Sequence, residues 1–93
     1  MSYNIEKAIQ QTAAALKASG ATEVYIFGSA ARGTLGEGSD VDFAVAGLPP
    51  QAFFKALSAA GRHLNMTLDL IDLDEATPFT RYLKEEGELK RVA

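Results

Sequence analysis

The chain has 93 residues and a mass of 9.9 kDa, too short for two separate hydrophobic cores, so we expect residues 1–93 to form a single domain. Hydrophobic residues make up 47% of the sequence and charged residues 23%, with only three prolines, which excludes disordered and collagen-like chains. Nine Lys and Arg against twelve Asp and Glu give a net charge of −3, and cysteine is absent. This composition argues against direct nucleic-acid binding and excludes disulfides and thiolate metal sites.

Helical and strand patterns alternate along the chain. Helices are predicted where apolar residues recur every three to four positions, and strands where short β-branched and aromatic runs occur. Three glycines in six residues predict a loop over 33–38. The predicted elements in chain order are a helix over 3–19, a strand over 22–27, a short helical turn over 29–32, a strand over 40–46, a helix over 51–64, a strand over 67–73, a helix over 78–86 and a short edge strand over 89–92.

This order of elements predicts the fold class. Helices interleaved with strands are typical of an α/β (α+β) fold, here a small mixed sheet of three to four strands packed with three to four helices. Periodicity does not fix the strand order or the direction of pairing, which stay open. In the third predicted helix the apolar stripe should bury Phe53 and Phe54, and in the last one Phe79, Tyr82 and Leu83.

The sequence contains no apolar run of the roughly 18 residues that a membrane span needs. Polar residues interrupt residues 1–19, which therefore do not match a secretory signal. We expect a cytoplasmic protein that does not associate with membranes.

Three acidic residues stand out on otherwise apolar predicted strands: Asp40, Asp42 and Asp69. Carboxylates are rarely placed there without a partner or a cation. Asp40 and Asp42 are two positions apart, so they project from one face of a strand about 7 Å from each other. With Asp69 from a neighbouring strand they would form an oxygen-ligand set suited to Mg²⁺, and a pair of such ions can clamp a phosphoryl transfer. Alternatively, each acid caps a turn or faces solvent, and for any one of them alone that interpretation is the simpler.

Gly28 and Ser29 directly follow a predicted buried strand and precede a helical turn. Unpaired backbone N–H groups at such a point favour an anion, and a glycine lets phosphate approach the backbone. The segment lacks the lysine of a P-loop, and the glycine order in 33–38 does not match the dinucleotide fingerprint. Arg32 either binds phosphate or pairs with one of the two strand aspartates to hold the loop, and both interpretations stay open.

Two segments together carry a family signature. A hydrophobic strand ends in Gly28-Ser29, ten residues follow, and the next predicted strand begins with Asp40-Val41-Asp42. This pattern resembles the signature of the polymerase-β-like nucleotidyltransferase superfamily and is most similar to its minimal nucleotidyltransferase (MNT) branch. The segment 68–73 resembles the later strand that supplies a third carboxylate, so the resemblance covers nearly the whole chain.

The resemblance implies a nucleotidyltransferase-like fold and the transfer of a nucleoside monophosphate, most often AMP from ATP, to an acceptor hydroxyl with release of pyrophosphate. It implies ATP as substrate and two Mg²⁺ ions as cofactors. The expected nucleotide-binding residues are Gly28, Ser29, Arg32 and Ser39. The expected catalytic and metal-binding residues are Asp40, Asp42 and Asp69, of which the last would also help to deprotonate the acceptor.

The resemblance also implies a partner. The minimal branch is similar to antitoxins paired with small helical proteins of the HEPN class, a ribonuclease-type domain, and some members modify a tyrosine on that toxin. We therefore expect an antitoxin in a hetero-oligomer, with a tyrosine of a helical HEPN-type partner as the leading acceptor. Two other interpretations stay open: a binding module that neutralises its partner sterically with little or no turnover, and a transferase acting on a small alcohol or on RNA.

Overall fold

The computed structural model describes residues 4–36 and 40–93. It contains four α-helices, one short 3₁₀ turn and four strands. Their bounds in chain order are α1 Ile5–Ala18, β1 Glu23–Phe27, α2 Gly28–Arg32, β2 Val41–Ala46, the 3₁₀ turn Pro50–Ala52, α3 Phe53–Gly61, β3 Leu68–Asp72, α4 Pro78–Glu85 and β4 Lys90–Arg91.

The strands form one mixed sheet in the order β3-β2-β1-β4. β1 pairs antiparallel with β2 and with β4, and β2 pairs parallel with β3. The parallel pair requires a crossover, which α3 supplies between β2 and β3. The predicted α+β class, with three to four strands and three to four helices, is confirmed.

The main core lies on the sheet face that α1 and α3 cover. Alternation along β2 turns Val41, Phe43 and Val45 into this core, where all three are fully buried. Asn4 caps the start of α1, because its side chain accepts a hydrogen bond from the Lys7 N–H at 3.1 Å. α1 contributes Leu16, which is also fully buried.

α4 packs on the opposite sheet face. Thr77 and Thr80 form a reciprocal capping box at its start, with hydrogen bonds of 3.1 Å and 3.0 Å, and Pro78 takes the first helical position as predicted. Leu83 is buried here against a second apolar cluster that includes Phe27. The sheet is therefore covered on both faces, but α4 is short and leaves part of its face open.

The burial expected for three aromatic residues is wrong. Phe54 is 78% exposed because α3 packs on α1 through its alanines, Ala56 and Ala60, and at 100° per residue Phe54 lies about 160° around the helix from Ala56. Phe79 and Tyr82 are 47% and 50% exposed, since the capping box turns Thr80 inward beside Leu83.

None of the helices in residues 4–36 and 40–93 combines the length and the apolar character required to cross a membrane.

Candidate functional site

The candidate site is a row of residues across three adjacent strands. Phe27, the last residue of β1, lies opposite Asp42 of β2, and Asp42 lies opposite Asp69 of β3. Paired residues project from the same face of a sheet. The row therefore brings Asp42 and Asp69 together on the face that α4 only partly covers.

Gly28 lies against this row, immediately after β1. Its backbone has φ +62°, a left-handed conformation that a side chain strains. A Cβ atom built on Gly28 would lie 2.7 Å from the Asp42 Oδ2 atom, far inside van der Waals contact. Only glycine allows the start of α2 to approach the Asp42 carboxylate this closely.

The surroundings of the Asp42 carboxyl disfavour its ionised form. Partial burial raises its pKa most, followed by the negative charges of Asp69 and Asp40 and by a hydrogen bond between the Asp42 and Asp69 carboxyl groups. All four causes disfavour the ionised form. The two paired carboxyls thus lie close enough to share a proton, and a cation between them would remove the repulsion.

Asp40 lies immediately before β2 and is exposed. Its charge reaches Asp42, but no three His, Cys, Asp or Glu side chains in the described parts of the chain are gathered closely enough to hold one metal ion. The structure therefore joins two of the three predicted carboxylates, with the third at the margin of the pair.

The other predicted nucleotide-binding residues take different positions. Ser29 is half-buried in α2, directly after Gly28. Arg32, in the last turn of α2, is exposed and makes no ion pair with Asp40 or Asp42, so the loop-holding interpretation finds no support within the described residues. Ser39 lies outside the described residues.

The residues present fit a divalent cation. Carboxylate oxygens are the ligands Mg²⁺ prefers, and a cation would offset the repulsion that raises the pKa of Asp42. Because Gly28 has no side chain, the start of α2 lies against the Asp42 carboxylate, and a phosphate bound to the same ion would lie beside this turn.

Sequence reasoning missed an aromatic residue next to this site. The Phe79 ring of α4 packs edge-on against Phe27 with ring centroids 5.9 Å apart, and Phe27 is the cross-strand partner of Asp42. Phe79 was expected in the core. The Thr77-x-x-Thr80 spacing was the available signal, because a capping box turns Thr80 inward and displaces Phe79 toward the open side.

Comparisons with known proteins agree with this geometry. The family model described as "Nucleotidyltransferase domain" matches residues 6–92. No curated protein matches the sequence significantly. Among solved structures, a candidate minimal nucleotidyltransferase is 26% identical with a TM-score of 0.73, covering 95% of both chains.

Two further structures come from protein complexes. A chain of a toxin-antitoxin crystal structure with AMP-PNP is 25% identical with a TM-score of 0.71, covering 98% of this chain and 73% of that chain. Another similar chain comes from the complex of a tri-AMPylated Shewanella oneidensis HEPN toxin with an MNT antitoxin. It is 19% identical with a TM-score of 0.67, covering 95% of this chain and 71% of that one. At this identity the likeness concerns the fold alone. By the family match and this shared architecture, the chain belongs to the nucleotidyltransferase domain family and resembles its minimal, antitoxin-type members.

Proposed function

We propose that this protein transfers AMP from ATP to a hydroxyl group, with tyrosine as the leading acceptor, on a HEPN-type partner and so acts as the antitoxin of a pair. The observation that carries the proposal is the row formed by Phe27, Asp42 and Asp69, with Gly28 against Asp42. Family membership supports nucleotidyl transfer. AMP transfer and the partner are suggested by the complexes with AMP-PNP and with an AMPylated HEPN toxin.

Asp40, Asp42 and Asp69 would hold the Mg²⁺ ions. When bound, Mg²⁺ supplies positive charge that offsets the charge of the carboxylates and of the triphosphate. Gly28 and Ser29 would lie against the terminal phosphates, because Gly28 brings the start of α2 next to Asp42, an expected ligand of the ion. Arg32, exposed at the end of α2, would bind a phosphate oxygen through its guanidinium.

The chemistry needs little beyond positioning. The acceptor oxygen bonds to the α-phosphorus as the bond from that phosphorus to pyrophosphate breaks, and the acceptor proton passes to the Asp69 carboxylate. Asp69 suits this role because it is exposed and lies beside Asp42 on the outermost strand of the sheet. Such reactions depend mainly on orientation and charge stabilisation, so no protein nucleophile is required.

The direct test is transfer of label from α-labelled ATP to the co-expressed HEPN-type partner. We expect Asp42→Ala and Asp69→Asn to lower transfer by at least about 100-fold, a loss typical for groups that bind charge or protons in the transition state. Glu85→Gln, which removes an exposed carboxylate of α4, serves as the matched control and should transfer at the wild-type rate. No transfer by the wild-type protein, or equal transfer by Asp42→Ala, would refute the proposal.

The steric alternative is favoured by one observation, namely that Asp40 does not join the paired carboxylates in a preformed three-ligand group among the described residues. On that hypothesis the protein neutralises its partner by occupying it. An Asp40→Ala, Asp42→Ala double variant decides: retained neutralisation in cells supports steric action, and lost neutralisation with retained partner binding supports catalysis.

A further inference from the structure

A groove follows the outer edge of β3, the outermost strand of the sheet. Hydrogen bonds from Val41 N–H to Thr67 C=O at 2.9 Å and from Leu73 N–H to Val45 C=O at 2.8 Å flank the parallel ladder. By the alternation of a parallel ladder, odd-numbered positions of β3 face β2, so the backbone groups of 68 and 70 point outward. Leu70, which lines the groove, thus directs its backbone N–H and C=O groups away from β2.

Apolar side chains line the groove on both sides of the β3 edge. Its volume is about 680 Å³. Phe54 and Pro50 line it from the α3 side, and Ile71 and Phe79 line it from the α4 side. Phe54 is 78% exposed and Phe79 47%, and aromatic rings left in water beside a groove are typical of protein-binding surfaces.

The groove is also negatively charged. Asp72, Asp74 and Glu75 line it, and no Lys, Arg or His is among the described residues that do. The Asp74 side chain accepts a hydrogen bond from the Gly47 N–H at 2.7 Å and Asp72 accepts one from the Asp74 N–H at 2.9 Å, so these two side chains are held at fixed positions. A positively charged occupant complements this lining, and a nucleic acid is repelled by it.

The groove lies beside the candidate site. Ile71, in its lining, is two residues after Asp69 on the same strand and face, a separation of about 7 Å. A chain segment seated in the groove can therefore place a side chain beside Asp69.

We propose that this β3-edge groove docks the segment of the partner protein that carries the acceptor hydroxyl, and that this segment is apolar and positively charged. The proposal rests on the proposed function, since it assigns the route by which the acceptor reaches Asp69. Phe54 and Phe79 hold the apolar side chains of the segment, and the three acids select its positive charge.

The test is calorimetric binding of the HEPN-type partner of the proposed function, measured in EDTA without nucleotide so that catalysis plays no part. We expect Phe54→Ser and Glu75→Lys each to weaken binding by at least about ten-fold, which corresponds to 1.4 kcal/mol. Phe54→Leu keeps an apolar side chain and Glu85→Lys reverses an exposed charge outside the groove, so both should bind within about two-fold of wild type. Binding of Mg·AMP-PNP should be unchanged in all four variants.

Two outcomes would overturn the docking assignment. One is wild-type affinity in both Phe54→Ser and Glu75→Lys. The other is sedimentation showing that the wild-type chain self-associates and Phe54→Ser does not, which would make the groove a contact between copies of this chain. The two proposals can fail separately. If the wild-type protein transfers no label but the groove variants bind the partner more weakly, the proposed function is wrong and the docking site stands. If label transfer is normal but the groove variants bind like wild type, the docking site is wrong and the proposed function stands.

Discussion

Gly28 is the residue at which backbone conformation and site chemistry depend on each other. Its φ of +62° and the 2.7 Å approach of a built Cβ to the Asp42 carboxylate make an alanine there unfavourable twice over. We expect Gly28→Ala to lower the free energy of unfolding by about 2 to 3 kcal/mol and to weaken Mg·AMP-PNP binding. Chemical denaturation and calorimetry measure the two effects.

Gly33 provides the matched control for this prediction. It has a similar φ of +72°, but a built Cβ lies within 4 Å of no atom of residues 4–36 and 40–93. Gly33→Ala should therefore cost only the conformational part, about 1 kcal/mol. Equal losses in the two variants would show that contact with Asp42 contributes nothing to the requirement for glycine at 28.

Asp42 should destabilise the metal-free protein. Because its pKa is raised in the folded state, the folded protein holds the proton more tightly than the unfolded chain, and stability falls as pH rises from the ordinary aspartate pKa through the raised value. Asp42→Asn removes that loss, so in EDTA at pH 7 we expect a gain of no more than about 0.5 kcal/mol, limited by solvent screening.

The gain should shrink towards about pH 4, where aspartates of the unfolded chain take up their protons. Thermal unfolding at both pH values measures it. A variant less stable than wild type in EDTA at pH 7 would contradict the electrostatic account of Asp42.

At the scale of elements, the start of α4 holds the Phe79 side of the site in place. Thr77→Ala removes the hydroxyl that accepts from the Thr80 N–H, and we expect a loss of about 1 kcal/mol of unfolding free energy. Thr77→Ser keeps the hydroxyl and should retain most of the stability. Denaturant unfolding compares them, and equal stability of the two variants would show that the capping box contributes little.

Elements with strong local signals could be predicted from the sequence. α4 begins at Pro78 as predicted, and Asn4 caps α1 just before Ile5, because capping and proline geometry act within a few residues. The inward face of β2 followed from alternation, which is also local. Phe54 could not be placed in the same way, because its exposure results from a helix pair that packs through small alanines, and periodicity favours the larger side chains.

In the candidate site, too, the features set by local sequence could be predicted and those set by contacts between distant segments could not. The spacing from Gly28 to Asp42 lies within one stretch of chain, so the motif was visible in the sequence. The pairing of Asp42 with Asp69 depends on the order β3-β2-β1-β4 and on a parallel ladder, which arise from contacts between distant segments. The hydrogen bond between the Asp42 and Asp69 carboxyls and the marginal position of Asp40 required coordinates for the same reason.

At the scale of the whole molecule, ligand binding should control stability. A protein of 93 residues that places repelling carboxylates on one sheet face gains stability from any cation bound only by the folded state. We expect Mg²⁺ with AMP-PNP at about 100 times the dissociation constant to add about 2.7 kcal/mol, and so to raise Tm by roughly 10 to 20 °C. Differential scanning calorimetry across a ligand series measures the shift.

Two variants test whether this shift in Tm depends on the aspartates of the candidate site. The Asp40→Asn, Asp42→Asn double variant should show little shift, because the expected ligands of the cation are removed while the metal-free fold is retained. Glu85→Gln removes an exposed carboxylate elsewhere and should show the full shift. A full shift in the double variant would mean that the nucleotide binds away from the Asp42–Asp69 pair, and the site would then have to be sought on another surface of the protein.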